Sequence, residues 1–236
     1  YGDTIHSLVD ASSYKGLWKP GYIPYNPYPL DVKTPNLIKI DHIVANVEDN
    51  KMDSWVKYYE NLFSFETFIE FTEDDIATKY SALRSKVVKS QNGNVKLPIN
   101  EPAEGLKKSQ IQEYLDFNNG PGVQHIALLT SDIIETIDSL KKNGIEFLDV
   151  PDSYYDDLRE RVGPIEEDIA KLKKLKILVD KDSDGYLLQL FTKPLEDRPT
   201  LFIEIIQRKG SNGFGKGNFM ALFKSIELEQ FKRGNL

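Results

Sequence analysis

Two short stretches, Leu37-Ile-Lys-Ile-Asp-His-Ile-Val-Ala-Asn-Val47 and Gly122-Val-Gln-His-Ile-Ala-Leu-Leu-Thr130, decide how this chain is read. Each is an apolar run of strand length, and each carries a histidine in a matching context, His42-Ile43-Val44 against His125-Ile126-Ala127. In the first, alternation places Ile38, Ile40, His42 and Val44 on one face. Asp53 then opens a helix with Trp55, Tyr58, Tyr59 and Leu62 at one-face spacing. Strands follow at Phe65–Phe71, Tyr80–Ser90 and Asn94–Ile99, with Asn92-Gly93 as a hairpin turn. The second stretch repeats the plan. Asp132–Lys142 is a helix on Ile133, Ile134, Ile137 and Leu140, closed by Gly144. Strands fall near Ile145–Leu148, Lys176–Val179, Tyr186–Thr192 and Thr200–Gln207, around a helical insertion from about Asp152 to Leu175. The expected fold class is α+β, with two βαβββ modules (about 37–100 and 120–208) whose curved sheets form an open barrel around a shared cavity. His42 and His125 hold equivalent places, so both should point into that cavity.

Outside the repeat the chain changes character. Residues 1–36 read as a connector, because the segment from Pro20 to Pro35 is proline-rich extended chain. Thr4, Ile5, Ser7, Leu8 and Val9 read as a strand, and a chain beginning at Tyr1 inside a strand reads as a piece of something longer. Residues 37–236 form the second expected unit. At its end Phe219, Leu222, Phe223 and Ile226 mark one face of a helix over about 218–232. The glycines of Gly213-Phe-Gly-Lys-Gly217 could hinge it as a lid.

A net charge of −7 without a basic cluster argues against a nucleic-acid partner. The absence of cysteine removes disulfides, thiolate zinc sites, iron–sulfur clusters and cysteine nucleophiles together, and is compatible with a cytoplasmic setting. Apolar runs are far shorter than the roughly 20 residues of a membrane helix, so no membrane partner is expected.

The chemistry rests on few residues. A lone histidine in an apolar strand is more often a packed core residue than a ligand, but His42 and His125 are related by the repeat. His6 has no such relation and stays a connector residue. Glu204 stands in Leu201-Phe-Ile-Glu-Ile-Ile206, apolar on both sides, where an ionised carboxylate must be protonated, paired or metal-bound. A salt bridge to Arg208 or Arg198 is the bland alternative. Two imidazoles and a carboxylate with open positions make the facial triad of Fe(II) oxygenases, although zinc or manganese would also fit these donors. Asp180-Lys-Asp-Ser-Asp-Gly185 begins like a calcium loop, but the twelfth position is Phe191 rather than glutamate, so a hairpin turn is expected. The Gly213–Gly217 run matches neither nucleotide fingerprint.

Several motifs together resemble the 4-hydroxyphenylpyruvate dioxygenase family. They are Tyr1-Gly-Asp-Thr4, Ser109-Gln-Ile-Gln112, Gly120-Pro-Gly-Val-Gln-His125, Leu187-Leu-Gln-Leu-Phe-Thr-Lys193, Arg198-Pro-Thr-Leu-Phe-Ile-Glu-Ile-Ile-Gln-Arg208 and Gly213-Phe-Gly-Lys-Gly-Asn-Phe219. The resemblance covers essentially the whole chain and implies the iron-binding, C-terminal half of such an enzyme, of vicinal oxygen chelate type, with residues 1–10 the last strand of an absent half. It implies Fe(II) on His42, His125 and Glu204. Substrate-pocket positions fall on Ser85, Asn100, Gln110, Gln124 and Gln189, and ring and lid positions on Phe191, Phe202, Phe214, Asn218, Phe219, Leu222 and Phe223. The implied reaction takes 4-hydroxyphenylpyruvate and O2 to homogentisate and CO2 in tyrosine catabolism, with a homo-oligomeric (dimeric or tetrameric) parent. Alternatives are 4-hydroxymandelate synthase, which oxidises the side-chain carbon of the same substrate, or a metal-binding fragment that is inactive without its N-terminal half.

Overall fold

The computed structural model describes residues 1–236 apart from 11, 18, 26–34, 74, 75, 79, 235 and 236. Much of the proline-rich connector, including Pro27 and Pro29, therefore lies outside the described residues. The element order is β1 (Leu37–Asn46), α1 (Met52–Phe63), β2 (Glu66–Phe71), β3 (Ala82–Lys89), β4 (Lys96–Ala103), α2 (Gln110–Asn118), β5 (Gly122–Thr130) and α3 (Ile133–Lys142). After a 3-10 turn at Asp152–Tyr155 come α4 (Leu158–Val162), α5 (Ile169–Leu175), β6 (Leu178–Lys181), β7 (Tyr186–Phe191), β8 (Phe202–Lys209) and α6 (Lys216–Lys232).

The eight strands form one sheet in the order β2-β3-β4-β1-β5-β8-β7-β6. The order is symmetric about its centre, so strand–helix–three-strand units recur on either side. Where β1 and β5 meet they run antiparallel, while β1 with β4 and β5 with β8 run parallel. The two units thus share one continuous curled sheet rather than facing each other as separate sheets. Pro98 and Pro102 in β4 lack an N–H, and the β1–β4 register is only two residue pairs long.

Both faces of the sheet are covered, which is why β4 and β7 are buried along nearly their whole length. Outside the first unit, Met52, Val56 and Tyr59 of α1 pack on Ala45, Val88, Leu97 and Ile99. Outside the second, Ile133 and Ile137 of α3 pack with Leu172, Ile177, Leu188, Leu190 and Ile205. The alternate residues Val44, Val87, Phe191 and Glu204 face inward, toward a cavity. No helix among the described residues is long and apolar enough to cross a membrane.

Several expectations need correction. The buried face of α1 is Met52, Val56 and Tyr59, whereas Tyr58 and Leu62 are exposed. Asp53 does not cap it. The buried Glu101 accepts the Met52 N–H at 3.0 Å and holds Arg84 at 2.9 Å. Residues 1–10 form no strand, and Ile5, Leu8 and Val9 are exposed. Tyr1 instead packs edge-on against Trp55, and His6 Nε2 lies 2.8 Å from the Tyr59 hydroxyl. Ile145–Leu148 gives an isolated bridge, Phe147 to Thr192, and no strand. Helix α2 has no counterpart among the expected elements. The Asp180–Gly185 segment is a hairpin turn: Asp182 accepts the N–H groups of Asp184 and Gly185 and so closes the β6–β7 connection.

Candidate metal centre

β1 is not a regular strand where it matters. Ile40 lies opposite Leu128 but His42 lies opposite Ala127, so Asp41 is the extra residue of a bulge. Leu37–Ile40, Ile38 and Ile40 included, are all exposed, while Asp41 and His42 are both buried. On β5 the register shifts again between Val44–His125 and Ala45–Val123. There Gln124 is the extra residue, and both Gln124 and His125 reach the cavity. Bulges of this kind re-aim side chains at sites.

His42, His125 and Glu204 come together, each offering one ligand atom and all of these within 4.8 Å of one another. Both imidazole Nε2 atoms lie 3.2 Å from Glu204 Oε2. The opposite ring nitrogens are engaged: His42 Nδ1 lies 2.8 Å from Asp41 Oδ1 and His125 Nδ1 2.9 Å from Gln124 Oε1. An acceptor on Nδ1 draws the ring proton there and turns Nε2 to the centre, which is how metal-binding histidines are oriented. All three groups are buried. Two neutral imidazoles and a carboxylate fit a divalent metal, and three donors leave further positions open.

Electrostatics follow from this crowding. Burial would raise the Glu204 carboxyl, but His42 and His125 beside it hold it down at about 2. Burial would lower His42, yet Glu204 and Asp41 outweigh it and the ring is raised. For His125 burial wins and the ring is lowered. Asp41 is held far below the usual carboxylate range, against burial, by Arg208 and His42. Neither arginine weighed as a partner reaches Glu204: Arg208 grips Asp41 through two nitrogens at 2.7 and 2.8 Å, and Arg198 pairs with Glu196 at 2.7 Å.

Why the triad has three members can be read from the repeat. Ala45 lies opposite Ile99, and Leu128 opposite Ile205. With His42 and His125 as equivalents, the counterpart of Glu204 is Pro98, which also lines the cavity. One half supplies a carboxylate, and the other supplies a ring that cannot bind metal.

A cavity opens beside the triad, bordered by His42, His125 and Glu204 themselves. Its lining includes Ser85, Asn100, Gln110, Gln124, Phe191, Phe214, Phe219, Leu222 and Phe223 of the expected substrate residues. Gln189, Phe202 and Asn218 stand one layer back. Phe202 stacks on His125 at 4.8 Å, Asn218 accepts the Tyr154 hydroxyl at 2.6 Å, and Gln189 abuts Gly215. Gln110 Oε1 and Gln189 Nε2 are buried without a hydrogen-bond partner. Phe71, Ile76, Leu83, Val87 and Pro98 also line the cavity and were not singled out from sequence. The inward period-2 face of β3 is the signal that could have found Leu83 and Val87. Tyr154 and Asp41 were missed as well.

Residues 39–190 match the Glyoxalase/Bleomycin resistance protein/Dioxygenase superfamily. The chain is 51% identical over its whole length to a 4-hydroxyphenylpyruvate dioxygenase of Yarrowia lipolytica and 52% to one of Danio rerio, covering 62% of each. The chain therefore spans about three fifths of the length of the curated relatives it matches. Among solved structures, a triple mutant of 4-hydroxymandelate synthase from Streptomyces coelicolor superposes with a TM-score of 0.75 at 34% identity, over 81% of this chain and 54% of that one. A fusion of a xylose isomerase-like TIM barrel with 4-hydroxyphenylpyruvate dioxygenase superposes with a TM-score of 0.66 at 30% identity, over 82% of this chain and 30% of that one. A symmetric curled sheet, a buried two-histidine, one-carboxylate centre and this match over most of the chain agree: the chain belongs to the Glyoxalase/Bleomycin resistance protein/Dioxygenase superfamily.

Proposed function

We propose that this chain is the metal-holding part of an Fe(II)-dependent dioxygenase that converts 4-hydroxyphenylpyruvate and O2 to homogentisate and CO2. The observation that carries the reading is the buried triad opening onto a phenylalanine-walled cavity, in a chain about half identical to proteins of that name. His42, His125 and Glu204 would hold the ion. When bound, Fe(II) would supply chelation of an α-keto acid and the redox chemistry with O2.

The chain's own residues do the rest. Phe191, Phe214, Phe219 and Phe223 give a phenol ring apolar faces and edges to pack on. Asn100 donates to Asn46 Oδ1 at 3.3 Å, which leaves its own carbonyl oxygen for the cavity, and Ser85 lies opposite it in the β3–β4 register. Gln110 Oε1 needs a donor, and a phenolic hydroxyl is one. These neutral groups bind a hydroxyl or keto oxygen without competing for the cation. Helix α6 places Phe219, Leu222, Phe223 and Ile226 against the cavity and so keeps water from it.

The alternative product, 4-hydroxymandelate, is formed from the same substrate, and the structural relative of that name is 34% identical. Oxygen uptake by the anaerobically Fe(II)-loaded protein on adding 4-hydroxyphenylpyruvate, with the product identified chromatographically, decides. Homogentisate is expected. 4-Hydroxymandelate, or no uptake by protein with iron bound, would overturn the reading for this chain.

A further inference from the structure

We infer that Asp41 and Arg208 are positioning residues: together they set His42 for the metal and tie that setting to the segment leading into α6. The inference rests on the metal reading above. The bulge in β1 turns Asp41 inward next to His42, and Asp41 Oδ1 accepts the His42 Nδ1 proton at 2.8 Å. One acceptor on Nδ1 leaves the ring free to swing about that bond. Here the acceptor is itself fixed, because Arg208 reaches across from β8 and takes both carboxylate oxygens, Nε to Oδ2 at 2.8 Å and Nη2 to Oδ1 at 2.7 Å. A planar fork on a carboxylate fixes orientation as well as distance.

The third guanidinium nitrogen is not idle. Arg208 Nη1 donates to the carbonyl of Gly213 at 2.7 Å and to that of Ser211 at 3.2 Å. Those carbonyls belong to the turn that delivers Phe214, whose ring stands edge-on to His42 at 5.0 Å and lies 5.7 Å from the guanidinium carbon. A single side chain therefore holds the support of one ligand and the wall that faces the same ligand. Glu204, which shares strand β8 with Arg208, brings the third ligand to the same place. An arginine on the carboxylate strand thus registers a histidine on another strand.

The test is Co(II) binding to the metal-free chain, followed by visible d–d absorption and titration, in the parent, Asp41→Asn and Arg208→Lys. Asp41→Asn keeps size and an acceptor but loses the charge; Arg208→Lys keeps the charge but loses the fork. Each should weaken Co(II) binding about 10- to 100-fold and change the d–d band, as loss of a ligand's hydrogen-bonding support does. Glu113→Gln breaks a different ion pair, between buried Glu113 and Arg233 at 2.7 Å, and should lower the melting temperature without altering the band. If the parent binds Co(II) and both folded variants match it within about three-fold, the positioning role is wrong and the metal site stands. If the parent binds no Co(II), the metal reading itself fails and the inference with it. Should Asp41→Asn not fold, Arg208→Lys decides on the same criterion.

Discussion

A histidine and the aspartate before it cannot both point inward from a regular strand, because successive side chains alternate. Asp41 and His42 do so because the chain carries one residue more than its partner strand there. His42, His125 and Glu204 were legible in the sequence, since few residue types bind metal and Glu204 is flanked by apolar residues on both sides. Asp41 was not, because simple alternation sends it to solvent and nothing local announces a bulge. The same residues make a pH prediction. Glu204 titrates at about 2 in the folded protein, below its ordinary value of 4.5. A depressed carboxylate contributes stability that is full above the ordinary value and is lost as pH falls toward the folded one. The metal-free protein should therefore lose stability between about pH 4.5 and 2, and Glu204→Gln should flatten that part of the profile. Urea midpoints at pH 5.5 and pH 3 measure it, and parallel profiles for the two proteins would contradict the assignment.

At the scale of elements, the inward face of α6 was readable because its apolar residues recur at helical spacing, and Phe219, Leu222, Phe223 and Ile226 do line the cavity. The face of α1 was half legible: of the stripe Trp55, Tyr58, Tyr59 and Leu62, Tyr59 is buried and Trp55 packs at the core's edge, while packing chooses Met52 and Val56 over the exposed Tyr58 and Leu62. α2 escaped notice because nine residues with polar Gln110 and Glu113 buried among Ile111, Tyr114 and Leu115 show little periodicity. Its N-cap is Ser109, whose side chain accepts the Gln112 N–H at 3.1 Å. The entry to α6 carries a second prediction. Gly215 has φ of 75°, and a Cβ there would stand 2.5 Å from Gln189 Nε2. Gly215→Ala should cost about 1–3 kcal/mol through that backbone conformation and contact. Chemical unfolding measures it, and an unchanged midpoint would contradict the close approach.

For the whole molecule, the doubled plan was the most legible feature, because each unit repeats strand, helix and three strands. What the repeat could not reveal is that the two units join through β1 and β5 into one sheet, with the symmetry axis running between His42 and His125. Nor did it reveal where the symmetry fails. Pro98 stands where the second unit has Glu204, and this asymmetry leaves the centre with three donor side chains. Pro98→Glu should supply a fourth donor: Co(II) should bind more tightly with an altered d–d band, and oxygen uptake should fall, since an open position is filled. An unchanged band would contradict the equivalence of the two positions.

All of this depends on one ion being held by His42, His125 and Glu204. Equilibrium dialysis of anaerobic Fe(II) against the parent chain and Glu204→Ala, with the fold of each checked by circular dichroism, tests it directly. The predicted result is one tightly held ion per parent chain and none retained by the variant. Near-normal iron in a folded Glu204→Ala protein would contradict the triad.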